Sequence, residues 1–302
     1  MKFSIQRFAD TTYLQDNLKG FVPSIISDEI IGMAVRGSSI LRLSKVEVME
    51  SDNKTFSVMT KGVGAFWTKE AGRIQTSTAE WDFPKMEAEK IAVIIPVTKE
   101  KLNDATIDVF GTLRPYIAEA FYEAIDSACL FGKNSPFTKS IYGVASASGQ
   151  EVEIGSNPKV DLDISDVMAF VEKSGFDVDG FVAGLDFKNQ LRKLRDADGN
   201  QLYVEGVGQK QLYSLPIEFN RANSWDSTKA HAIAGEWKYS VVGIREQLEY
   251  EVLREATLQN VSMSDGKPLS LAENDMVAIK VTMRLGFTVV QPNAFALLTP
   301  KP

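Results

Sequence analysis

The sequence predicts an α+β fold, and three observations carry that expectation. Residues 107–131 hold apolar side chains at three- and four-residue steps, the period of one long helix. Residues 276–285 alternate apolar and polar side chains, the period of a strand. Between them, residues 159–240 alternate shorter helix and strand signals in the manner of an α/β insert.

In chain order, residues 1–20 are mixed and polar, without a sustained period, and read as an arm. Residues 25–43 place Ile25, Ile26, Ile30, Ile31, Ala34, Val35 and Leu41 at helical spacing, with Ser27 or Asp28 able to cap the start. Residues 54–60 alternate as one strand, and residues 90–98 form a second. Pro96 has no N–H to donate, which puts that second strand at a sheet edge or puts Pro96 at the strand's end. The polar stretch between them keeps Phe66, Trp67, Trp81 and Phe83 among many charges, and such aromatics need something to bury them.

On the long helix, Phe110, Leu113, Ile117, Ala120, Phe121, Ala124, Ala128 and Phe131 form the expected buried stripe. Pro115 should kink the helix or delay its start, and Gly132 suits its end. Residues 134–158, punctuated by Ser, Gly and Pro, read as loop. A helix over 163–173, a strand over 180–183, a helix over 185–194 and a turn at 196–199 follow. Residues 239–253 and 275–298 return to strand pattern. Val277, Ile279, Val281, Met283 and Leu285 share one face, and Ala278, Lys280, Thr282 and Arg284 the other. No internal repeat is visible.

The 302 residues are 44% hydrophobic and 24% charged, close to the globular average, which excludes a disordered or collagenous chain. The longest clean apolar run, 91–97, falls far short of the roughly 20 residues that span a bilayer, so no membrane partner is expected. One cysteine, Cys129, excludes an internal disulfide and a thiolate-rich zinc site. One histidine, His231, excludes multi-histidine metal sites. A net charge of −7 disfavours dedicated nucleic-acid binding.

The local motifs favour plain readings. Asp196-Ala-Asp198-Gly-Asn200 begins like a calcium loop, but Gln201 stands where that loop needs glycine and Val207 where it needs glutamate, so it reads as a turn. Gly62-Val-Gly64 and Gly206-Val-Gly208 complete no phosphate-binding pattern. Lys188, Arg192, Lys193 and Arg195 read as a solvated helix face, and Glu119 and Glu123 as solvent-facing charges. His231 reads as structural, since no nucleophile motif accompanies it. No catalytic residue, metal or cofactor is expected.

The order of elements carries more than any motif. Gly64-Ala-Phe-Trp67 with Glu70, Gly72, Arg73 and Thr76-Ser77 looks like an extended-loop signature. Residues 94–104 resemble a strand-to-helix passage, and Pro115–Tyr122 with Asp126 resembles a spine helix. Residues 191–199, Ala234-Gly-Glu-Trp237 with Val242–Arg245, and 277–285 with Gln291–Phe295 complete the series. Together they resemble the major capsid protein of tailed bacteriophages, the Hong Kong 97-like fold, over roughly residues 20–300.

That resemblance implies an N-terminal arm over 1–24 and an extended loop over 51–90. It implies a peripheral domain from 25–50, 91–134 and 240–302, and an axial domain over 135–239. It implies no enzymatic activity, and a chain that assembles with itself into hexamers and pentamers of an icosahedral shell around double-stranded DNA, without sequence-specific binding. Only about 20 residues precede the first expected helix, which implies a separate scaffolding protein; a portal protein is a further partner. Phe3–Ala9 is similar to short leaders on capsid proteins of Gram-positive hosts, and in such relatives a maturation protease acts on the leader. The place of the chain is then the virion, with assembly in the host bacterial cytoplasm.

Interface hot spots favour tryptophan, tyrosine and arginine, so Phe66, Trp67 and Trp81 are the expected intersubunit anchors, with Glu70 and Arg73 as charge partners. The other reading folds these aromatics back on their own subunit. Two further functions stay open at this point: an encapsulin-like compartment housing a cargo enzyme, and a cytosolic α/β enzyme with an unrecognised site.

Overall fold

A computed structural model describes residues 37–61, 63–70, 73–99, 109–195, 211–221, 223–262 and 268–301. Its elements are α1 (Ser39–Leu43), β1 (Lys45–Val48), β2 (Asn53–Thr55), β3 (Val58–Lys61), β4 (Glu80–Asp82), β5 (Lys85–Thr98), α2 (Val109–Phe131), α3 (Ile141–Ala147) and β6 (Glu151–Glu153). There follow α4 (Val160–Lys173), β7 (Gly180–Gly184), α5 (Phe187–Arg192), β8 (Gln211–Leu212), β9 (Leu215–Asn220) and β10 (Ala232–Gly235). The chain ends with β11 (Ser240–Leu253), β12 (Thr257–Ser262), β13 (Pro268–Ser270), β14 (Met276–Val289) and β15 (Phe295–Thr299). The architecture is mixed α+β. The arm, most of the helix expected over 25–43 and the turn at 196–199 lie outside the described residues.

The chain divides into two compact units, each assembled from separated segments. The first comprises 1–42, 89–126 and 245–285. Here β11, β14 and β5 lie side by side in that order. The β14 alternation is as expected for Val277, Ile279, Val281, Met283 and Leu285, all buried. On the other face, Ala278 is buried with Leu269 and Leu271, where the hairpin β12–β13 brings Leu258 and Val261. Lys280 bonds Glu251 across to β11, and Lys99 bonds Asp275, each at 2.5 Å. These are exposed pairs, worth little singly.

The helix α2 is about 35 Å long, with Pro115 inside it. Its end is as expected, with Gly132 at φ +67°. The stripe needs correction. Ile117, Phe121, Ala128 and Phe131 are buried as expected, but Ala120 and Ala124 are exposed, and Ala118 and Ile125 take the buried side instead. Alanine gains little from burial, so the larger Ile125 turns the face its way. Glu119 and Glu123 are half-buried rather than solvent-facing, and Tyr122 donates to Glu119 at 3.1 Å.

One turn further on, fully buried Asp126 holds the start of α1. It accepts from the Ser38 hydroxyl at 2.6 Å, the Ser39 N–H at 3.1 Å and the Ile40 N–H at 3.2 Å. The Ser38 hydroxyl oxygen in turn accepts from the Leu41 N–H at 3.1 Å. A carboxylate from 88 residues away thus satisfies backbone donors that a helix start leaves open.

The second unit comprises 43–88, 127–244 and 286–302. Its main sheet runs β6-β15-β10-β7-β9-β8. Every residue of β7, β10 and β15 is buried, which is why these strands read as apolar runs rather than alternations. Phe181, Ala183, Ile217, Ala232, Ala234 and Leu298 meet Ile164, Val167 and Val171 of α4 and Phe187 and Leu191 of α5. The loop expected over 134–158 contains α3, capped by the Ser140 hydroxyl accepting from the Gly143 N–H at 3.2 Å. The serine that punctuates this stretch in the sequence is a helix cap in the structure.

The strand expected over 54–60 is two strands. β2 pairs with β5, while β3 pairs with β4. The break falls at Phe56-Ser57 opposite Phe83-Pro84, where buried Pro84 cannot donate to a ladder. The Phe56 N–H bonds the Pro84 carbonyl at 2.9 Å and marks the point where the ribbon leaves the sheet.

Gly235, at the end of β10, admits no side chain. A Cβ there would overlap the Phe295 ring and stand 2.6 Å from the Ala294 carbonyl oxygen. Gly235→Ala is expected to cost about 3 kcal/mol, measured by urea denaturation. The strand ends here, and Trp237 opens a short 3₁₀ turn with its indole N–H on the Gly180 carbonyl at 2.9 Å.

Asp179 accepts from the Trp237 N–H at 2.9 Å. Burial raises its pKa above the ordinary 3.8, with the Glu236 charge adding to the rise and the Trp237 bond opposing it. An acid raised on folding favours the folded state while protonated, and that contribution is lost as pH climbs from about 4 through the raised value. Asp179→Asn is therefore expected to stabilise the subunit at about pH 7 and to leave it unchanged at about pH 3, by urea midpoints. Equal midpoints at both values would contradict this.

Candidate functional site

The ribbon 58–83 exposes more apolar surface than a free chain tolerates. Its stem pairs Val58 with Asp82 and Met59 with Trp81, then shifts register before Lys61 meets Glu80. Among the described residues this sheet has two strands, and such ribbons are marginal in water. Beyond the stem, the described residues of 63–79 form no helix or strand. The Gly64 N–H donates to the Ser77 hydroxyl at 2.7 Å across the loop.

Trp67 is fully exposed at 105%, and Phe66 and Trp81 stand at 53% each. Val63, Ile74 and Phe83 are exposed too. Covering these side chains would gain on the order of 10 kcal/mol. Glu70 and Arg73 are exposed among them. Lys61, Lys69 and Arg73 balance Glu70, Glu80 and Asp82, so the ribbon does not carry the chain's net charge of −7. A neutral, aromatic-bearing ribbon can approach another acidic copy without the repulsion the whole chain brings.

The five residues singled out in the sequence therefore lie on one ribbon, all exposed. Sequence reasoning missed Ile74 and Val63 on the same ribbon; Val63 between Gly62 and Gly64, and Ile74 between Arg73 and Trp81, away from any periodic run, were the available signal.

Of the other sequence candidates, residues 196–200 and Gly206-Val-Gly208 lie outside the described residues, and His231 is structural. The His231 N–H bonds the Leu298 carbonyl at 2.7 Å, its carbonyl accepts from Gly184 at 3.2 Å, and its ring stacks on Phe187 at 6.0 Å. Burial pushes its imidazole pKa down, with Asp186 opposing. The Arg195 guanidinium folds back on the Arg192 and Leu194 carbonyls. Among the described residues no cluster of His, Cys, Asp or Glu could hold a metal, and no helix is long and apolar enough to cross a membrane. A polar cleft of about 150 Å³ lined by Ser127, Lys133, Asn223 and Asp226 is below the usual size of a ligand site.

The chain is similar to known proteins over most of its length. The Phage capsid family matches residues 19–299. The major capsid protein of Staphylococcus phage 80alpha is 30% identical, covering 99% of this chain and 94% of that protein. The probable major capsid protein of Mycobacterium phage L5 is 22% identical over 80% of this chain and 77% of its own length. A solved structure from Microbacterium phage Oxtober96 superposes with TM-score 0.76 at 29% identity, covering 88% of this chain and 91% of that one. The capsid of a native GTA particle shares the fold, with TM-score 0.67 at 18% identity over 89% of this chain and 90% of that one.

Proposed function

Because the chain belongs to the phage capsid family and is a major capsid protein of a tailed phage, we propose that its 58–83 ribbon is the arm by which one subunit grips the next. Neither the encapsulin-like compartment nor the cytosolic enzyme is favoured. The observation that carries the proposal is the exposure of Phe66, Trp67 and Trp81 on a ribbon that has two strands among the described residues. On a neighbour these rings become the buried centre of a contact, with Glu70 and Arg73 at its rim.

In this reading, residues 25–50, 91–134 and 240–302 serve as the peripheral domain and 135–239 as the axial domain. The subunits form hexamers and pentamers in the host cytoplasm, guided by a separate scaffolding protein and closed at one vertex by a portal. A maturation protease acts on the leader. The acidic chain lets packaged double-stranded DNA slide rather than stick. The role calls for no catalysis. The test is expression with a scaffold followed by electron microscopy: closed shells are expected, and a monomer under every assembly condition would contradict the reading.

A further inference from the structure

We propose that neighbouring copies in a ring of the shell join through a charge-complementary seam, in which the β6 edge of one copy receives the α5 cations of the next. The inference rests on the shell reading above. It concerns the second unit alone.

β6 closes one side of the six-stranded sheet. It is three residues long, and Glu151 and Glu153 flank inward-facing Val152, so both carboxylates leave the strand on the same side. The Glu151 Oε1 atom is a buried acceptor without a donor among the described residues, and so is Oε1 of adjoining Gln150. Those atoms are out of a neighbour's reach; what another copy can meet is the exposed Glu153 and the half-buried Glu151 beside it.

The cations stand across the sheet. Lys188 of α5 lies over the Phe219 ring of β9, 5.4 Å from its centre. Arg192, Lys193 and Arg195 follow and are exposed. β9 is four strand positions from β6, about 19 Å at the usual strand spacing. No lysine or arginine side chain covers that distance, so a subunit cannot neutralise its β6 edge with its own α5.

Two copies can. Opposite charges on different sides of one body make a head-to-tail contact, and repetition of that contact closes a ring. Charge complementarity of this kind also fixes register and rejects like-charged approaches. Phosphate of the packaged genome is the weaker candidate for the α5 cations, because it would leave the acidic β6 edge without a counter-charge.

Charge reversal in the full-length chain, expressed with its scaffold, tests the seam. Glu151→Lys with Glu153→Lys, and separately Arg192→Glu with Lys193→Glu, are each expected to lower the yield of closed shells about tenfold, by sedimentation and electron microscopy. The four changes together are expected to restore it to within about twofold. The milder pair Glu151→Gln with Glu153→Gln, with thermal melting of the unassembled subunits alongside, separates lost contact from lost folding. It should lower the yield about threefold without moving the melting temperature.

Wild-type yield from either reversal pair would overturn the seam while the wild-type shells keep the shell reading standing. So would failure of the combined variant to recover, or loss of packaged DNA alone with normal shells. Absence of shells from the wild-type chain would overturn both.

Discussion

Alanine in place of Asp126 is expected to destabilise the unassembled subunit by about 4 kcal/mol, read as a shifted urea midpoint. The carboxylate is fully buried and accepts from the Ser38 hydroxyl and the Ser39 and Ile40 N–H groups. Its removal takes the carboxylate acceptor from the Ser38 hydroxyl and from the Ser39 and Ile40 N–H groups, and opens a cavity. Bonds to a charged acceptor are the stronger kind, so the loss exceeds that of an ordinary hydrogen bond. Asp126→Asn should recover only part of the difference, because its amide brings two donors towards donors. Ser38→Ala removes one bond to the carboxylate and one to the Leu41 N–H, and should cost about 1–2 kcal/mol. An Asp126→Ala subunit within about 1 kcal/mol of the parent would show that these bonds do not hold α1.

The second large effect falls on assembly instead of folding. Trp67→Ser with Trp81→Ser should change subunit stability by no more than about 0.5 kcal/mol, since both side chains are exposed. Assembly should suffer by about 4 kcal/mol per subunit, the scale of two hot-spot aromatics. That raises the concentration needed for shells about a thousandfold, measured by light scattering. Normal assembly by this variant would contradict the role proposed for the ribbon, and a collapse of subunit stability would favour aromatics packed on their own subunit.

Periodic elements were legible in the sequence because their signal is local. The steps of 107–131 marked a helix found at Val109–Phe131, and the alternation of 276–285 marked the start of β14. What depended on distant partners was not. Ala278 shares its strand face with Lys280, and nothing local shows that Leu269 and Leu271 cover it; residues 54–60 read as one strand until Pro84 forces a change of partner. Asp126 looks like an ordinary helix carboxylate, and only contact with Ser38 gives it a task. The serine-rich 134–158 hid α3, because Ser140 serves equally as turn or cap.

The ribbon was legible for a different reason. Phe66, Trp67 and Trp81 stand among charges with no apolar period of their own, so no element of their own segment could bury them. Exposure was inferable; the receiving surface was not, because it belongs to no local pattern in the chain.

Side-chain-resolution electron cryo-microscopy of the assembled shell tests this most directly. The account predicts the 58–83 ribbon lying across a neighbouring subunit, with Phe66, Trp67 and Trp81 covered by that copy. A ribbon that folds onto its own subunit, or stays in solvent within a closed shell, would contradict it.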